Sequence, residues 1–158
     1  MEFHAEFFPR AFVHKITHKH KLLLVGSCFT EQIGHKLIQH KFSVLDNPNG
    51  ILFNPVSIAR AVKSYVEEKR YEAGDLFFQN ELWGSWDHHT RFSSIDSRTA
   101  LENINASQQR ASAFIKNADW ILLTLGSAFV YEQVSVENTG GYEQVVANCH
   151  KVPADKFN

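Results

Sequence analysis

The first apolar run of the chain, Leu22 to Val25, has no alternation of hydrophobic and polar positions, which predicts a parallel strand buried on both faces. It breaks at Gly26 and delivers Ser27 and Cys28 to a segment in which Ile33, Leu37 and Ile38 recur at helical spacing. A helix over Thr30 to His40 follows, with Glu31 and Gln32 in its first turn, where a carboxylate suits the helix dipole. Phe42 to Leu45 reads as a short strand. NPNGILFNP, residues 47 to 55, is a turn whose Asn54 and Pro55 are N-cap and first residue of a second helix. Ile58, Val62, Tyr65 and Val66 mark the apolar face of that helix.

Periodicity fails between residues 71 and 96. There LFFQNELW predicts a small hairpin, and GSWDHHTRFSS an irregular loop rich in Trp and His, of the kind that lines sites. Thr99 and Glu102 form a capping-box pattern ahead of a long helix carrying Leu101, Ile104, Ala111, Phe114 and Ile115. Trp120 to Leu125 reads as a second buried strand. It ends at Gly126 and Ser127 as the first ends at Gly26 and Ser27, so two strands are expected to present turns at one edge of one sheet. Such edges are where open α/β sheets bind ligands. YEQV occurs at 131 and again at 142 around ENTGG, a spacing that suits a hairpin and is too short for a repeat architecture.

The chain has 158 residues, 44% of them hydrophobic, enough for one core, and it is read as a single domain over residues 1–158. A formal net charge of −1 without any basic stripe disfavours nucleic acid and anionic membrane as partners. No apolar run approaches the ~20 residues that span a bilayer, and the start MEFHAEFFPR lacks the pattern of a secretory signal, so a cytoplasmic location is expected. Two cysteines, Cys28 and Cys149, are too few for a disulfide framework. His14, His18 and His20 share parity, which in an extended segment would gather imidazoles on one face, but without a carboxylate or Cys partner no metal is assigned. A phosphatase loop would need an arginine where Gly34 stands, and no GKS or GKT supports a nucleotide loop.

GSCFTEQIG, NPNGILFNP, WDHHTRFS, TLGSAFVYE and ANCHKVP together resemble, in order, the motifs of the GSCFA-domain proteins, over nearly the whole chain. That family is grouped with the SGNH, or GDSL-like, hydrolases, so the resemblance implies an α/β fold, a three-layer α/β/α sandwich with a short parallel sheet. It also implies an ester hydrolase or acyltransferase that needs no cofactor and acts on a small-molecule or carbohydrate ester. Members of the family continue well beyond the ANCHKVP segment, so the chain resembles a short member or an amino-terminal fragment.

Carried over by position, Gly26, Ser27 and Cys28 match the Gly, Asp and Ser that open the SGNH pattern, which puts Cys28 in the nucleophile's place. A helix amino terminus favours thiolate there. Ser27 is the rival nucleophile, a helix cap, or with Cys28 a small pair packing a tight turn. Gly50 resembles the second-block glycine, whose N–H would join that of Cys28 on an oxyanion, with Asn47 or Asn49 orienting it; the same residues also suit a plain turn. The third-block asparagine is absent, leaving Ser127 as its substitute, and so is the late DxxH motif. His88, His89 or His150 would stand in as base, Asp87 could orient an imidazole, and Asn49, Trp86 and His88 are the substrate-binding candidates. The alternative reading is a non-catalytic carbohydrate-binding or interaction domain on a hydrolase-like scaffold.

Overall fold

Leu22, Leu23, Leu24 and Val25 are sealed from solvent in strand β1 (Lys21–Gly26), which runs between two parallel neighbours, β2 (Ser43–Asp46) and β5 (Trp120–Thr124). The computed structural model describes residues 8, 10–133, 145–148 and 150–157. Each apolar side chain buried in β1 contributes about 1.5–3 kcal/mol. An uninterrupted apolar tetrad is therefore stable only at the centre of a covered sheet. Register sets Leu24 beside Asp46 and Leu122, and Gly26 beside Thr124, so β1 and β5 end together.

Helix α1 (Cys28–Gln39) leaves β1 directly and packs on β1 and β2, closest where Gly34 meets the Asp46 side chain. Helix α2 (Pro55–Val66) starts where the sequence predicts it, at an Asn54 cap whose Oδ1 accepts from Ser57 N at 2.8 Å. Its Ile58, Ala61 and Tyr65 form one core with Leu23, Val25 and Leu52 and with Ala111 of α3 (Ser97–Ile115). Val66, expected on that apolar face, is exposed. The hairpin appears as β3 (Phe77–Gln79) and β4 (Leu82–Gly84), and a second antiparallel pair joins β6 (Tyr131–Glu132) to β7 (Val145–Val146). Of the second YEQV copy, residues 142–144 lie outside the described residues.

Two further expectations are corrected. α3 begins earlier than the Thr99–Glu102 pattern suggests, because Asp96 Oδ2 accepts from both Thr99 N (2.8 Å) and Thr99 Oγ1 (2.7 Å) and is the true cap. β5 is not buried like β1. It is an edge of the described sheet, and the core over Leu23 and Val25 does not extend across their register partners Ile121 and Leu123, which are 46% and 50% exposed. The segment holding His14, His18 and His20 is bend and turn rather than strand. His18 stacks on Phe42 and contacts His40 O, while His20 Nδ1 accepts from Thr17 N, so these two rings are held by different partners. Among the described residues no helix is long and apolar enough to cross a membrane, and no cluster of three metal-ligating side chains occurs.

Gly26 is fixed by space as well as by a φ of 153°: a Cβ there would fall within 3.0 Å of Thr124 Oγ1 and Thr124 O. Gly26→Ala is expected to cost about 2–4 kcal/mol, since backbone on β5 cannot yield as a side chain can. Urea denaturation checks this; a midpoint equal to wild type would contradict the close approach.

Candidate functional site

The carboxyl ends of β1 and β5 are tied to the NPNG turn by buried hydrogen bonds. Asn47, fully buried with a φ of 42°, accepts from Gly26 N at 2.8 Å through Oδ1, and Leu52 N donates to Gly26 O at 2.9 Å. Phe53 O accepts from both Gly126 N (2.9 Å) and Ser127 N (3.0 Å), which draws the β5 turn onto the same loop. A Cβ on Gly126 would press on the Phe53 ring at 3.1 Å and on Ser27 Cβ at 3.3 Å, so the turn packs closely against both. The three turns that the family motifs mark therefore do meet at one edge.

Ser27 occupies the N-cap position of α1 without capping it. Its N–H donates to Thr124 Oγ1 at 3.1 Å and its hydroxyl lies 3.2 Å from the same atom, where Thr30 Oγ1 also converges. The Ser27 hydroxyl is buried and spent on joining β1 to β5. Cys28, the first residue of α1, is a free and exposed thiol. The Ser27 cap makes no side-chain bond, so among the described residues the first-turn amides of α1, the turn that Cys28 opens, have no side-chain cap.

The oxyanion assignments meet an obstacle. Gly50, at φ 84°, donates its N–H to Asn47 O at 2.8 Å, closing the turn, and the Ser127 N–H is held by Phe53 O. The Ser127 hydroxyl accepts from Phe129 N at 3.0 Å. Neither amide is free to receive a developing charge, because each satisfies a tight turn first. Asn49 is also committed: buried, it accepts from Tyr65 OH at 2.7 Å and donates to Asp87 O at 2.9 Å, so both ends of its amide brace the loop.

His89 is placed against Gly50, closely enough that a Cβ on that glycine would collide with the His89 Cβ. Its N–H donates to Asn49 O at 2.8 Å and its Nδ1 accepts from Arg91 N at 3.2 Å. Burial and then the Arg91 charge hold its pKa below the ordinary value, so the ring is neutral. A neutral imidazole accepting at Nδ1 carries its proton on Nε2. His89 therefore offers a donor rather than a base. Arg91, which the sequence reading passed over, spans the site: Nη1 pairs with Glu31 Oε1 at 3.1 Å, and Nη2 donates to Asn47 O.

The remaining candidates belong to the support of this edge. His88 is 1% exposed, edge-on to Tyr71 and Phe92, with Nδ1 at 3.0 Å from Ser85 Oγ; burial pushes its pKa down to about 3, so it neither binds substrate nor takes a proton at neutral pH. His150 Nε2 donates to Ser85 O and His88 O, both at 3.0 Å, and burial lowers its pKa. Cys149 lies outside the described residues. Among the described residues the Asp87 carboxylate bonds no imidazole. Instead its carboxylate meets Arg60 Nη1 (3.3 Å), Lys69 Nζ (3.5 Å) and Tyr71 OH (3.3 Å), pinning the loop to α2. Trp86 is half-buried, stacked on Phe77 at 3.8 Å, and borders a cavity of about 260 Å³ shared with Lys69, Asp75, Asp87 and Gln133.

The chain is a mixed α/β protein with a three-stranded parallel sheet and an exposed thiol at the start of the helix that follows its central strand. The chain belongs to the GSCFA family, whose profile matches residues 21–158. No curated protein and no solved structure matches it.

Proposed function

We propose that this chain is a thiol-dependent acyl-ester hydrolase or acyltransferase of SGNH type, with Cys28 as nucleophile. What carries the reading is the exposed free thiol at the first position of α1, beside first-turn amides that no side chain caps. The three-layer α/β/α form belongs to the same proposal. It is supported by α2 and α3 sharing a core with Leu23 and Val25 while α1 packs on β1 and β2.

In the proposed step the Cys28 thiolate adds to the ester carbonyl, the carbonyl pair moves to oxygen, and collapse expels the alkoxide, which takes a proton from water to leave as the alcohol. Water then hydrolyses the thioester, or an acceptor alcohol takes the acyl group. The oxyanion is assigned to the first-turn amides of α1 together with His89 Nε2–H, in place of the Gly50 and Ser127 amides that the turns consume.

Turnover of p-nitrophenyl acetate tests this. Cys28→Ala is expected to lose at least about a thousandfold in kcat/KM, whereas Ser27→Ala keeps most of it, since the Ser27 hydroxyl is engaged by Thr124 at the end of β5. The reverse ranking would assign the chemistry to Ser27.

A second reading, a non-catalytic carbohydrate-binding or interaction domain, is favoured by a specific observation. Both loop amides expected in an oxyanion hole are engaged, and among the described residues no imidazole or carboxylate bonds to Cys28. Unchanged hydrolysis in Cys28→Ala and Ser27→Ala alike, at the rate of buffer, would select it.

A further inference from the structure

An open groove of about 680 Å³ lies along α3, beside the NPNG turn. Phe92 and Ala106 give it an apolar strip, Asn103 and Gln109 supply amides, and Arg91 and Arg110 supply charge; no carboxylate lines it. Ser107, in its wall, donates to Pro48 O at 2.7 Å and fixes the groove to the turn that holds Gly50. Arg110 is exposed and, among the described residues, makes no ion pair and no side-chain hydrogen bond. Arg91 reaches the other way, to Glu31, which stands three residues after Cys28 and hence on the same face of α1. One arginine side chain therefore joins the groove to the neighbourhood of the thiol.

With Arg91 held by Glu31 and Asn47 O, Arg110 borders this acid-free groove without an anionic partner among the described residues, and the apolar strip beside it suits a short hydrocarbon body. We infer that this groove binds the anionic end of the substrate, a carboxylate or phosphate carried on an apolar stem, with Arg110 as its main contact. The inference rests on the hydrolase reading for the word substrate. The binding itself does not.

Titration calorimetry with succinate, and separately with inorganic phosphate, is run on wild type, Arg110→Gln and Arg110→Lys, beside turnover of p-nitrophenyl acetate and mono-p-nitrophenyl succinate. At least one anion is expected to bind wild type. Arg110→Gln should weaken it about tenfold, and Arg110→Lys should restore part of the loss. The KM for the succinate ester should rise by a similar factor in Arg110→Gln, with the acetate ester unaffected. Which anion binds decides between carboxylate and phosphate. If neither ester is turned over but Arg110-dependent binding persists, the groove stands and the hydrolase reading falls. No heat with either anion, or equal binding in wild type and Arg110→Gln, overturns the proposal.

Discussion

Lowering the pH from 6.5 to 4 is expected to remove about 3 kcal/mol of stability through His88 alone. The ring is 1% exposed, and its pKa falls to about 3 because burial penalises the charged form; Asp87 works against that, while Lys69 and His150 work with it. Between about 3 and the ordinary value of about 6.5, the unfolded chain takes up a proton that the folded chain refuses. The unfolded state therefore binds more protons across this window, and stability falls as pH falls, by about 1.4 kcal/mol per unit. Above about pH 6.5 both states hold a neutral ring and the contribution is complete; below about pH 3 both are charged and no more is lost. His150, also depressed by burial, adds in the same direction. Urea midpoints measured from pH 7 to pH 4 give the slope. His88→Asn, which keeps an acceptor near Ser85 Oγ, should flatten it, and an undiminished slope in that variant would move the cause elsewhere.

Asp87→Ala is expected to destabilise the protein by about 3–5 kcal/mol. Its carboxylate is the meeting point of Arg60, Lys69 and Tyr71, and its side chain is only 12% exposed. Removing it leaves Arg60 without its ion-pair partner, whereas Lys69 retains Asp75 at 3.6 Å. The loop then loses its anchor to α2, although Asn49 still grips it through the Asp87 carbonyl. Asp87→Asn should cost less, since the Tyr71 hydroxyl retains an acceptor. The Tyr71 pKa, raised by burial and then by Asp87, should fall toward its ordinary value in Asp87→Asn, which ultraviolet titration reads. A loss below about 0.5 kcal/mol in Asp87→Ala would show that the cluster is a surface ion pair in disguise.

The elements nearest the thiol were the most legible in the sequence, because each is announced by a local rule. The apolar tetrad of β1, the Gly26 break and the Asn54–Pro55 helix start all appear where those rules put them. The meeting of the Gly26 and Gly126 turns was also readable, since two parallel strands of similar length end together. What escaped depended on neighbours. The exposure of one face of β5 cannot be read from WILLTL, as an apolar run looks the same at an edge as at a centre; Ile121 and Leu123 are accessible because the core over Leu23 and Val25 does not extend across them. Donor availability escaped as well. Gly50 and Ser127 stand at the turns their motifs suggest, but whether an N–H is free depends on a carbonyl brought in by folding, Asn47 O in one case and Phe53 O in the other. Among the histidines, burial sorted them: His88 and His150 went inside, and His89 stayed at the rim, against Gly50. Arg91 and Thr124 carried no signal, since an Arg in a loop and a Thr at a strand end are ordinary until their partners, Glu31 and Ser27, are seen.

The decisive comparison is the rate at which p-nitrophenyl acetate acetylates Cys28, followed by mass spectrometry of the peptide that contains it, against the rate for N-acetylcysteine at the same pH. A thiol set beside uncapped helix amides should acquire the acetyl group at least about tenfold faster than the free amino acid, and should then release it to water. Acetylation no faster than that of the free thiol, or a thioester that accumulates without ever being released, would contradict Cys28 as the nucleophile.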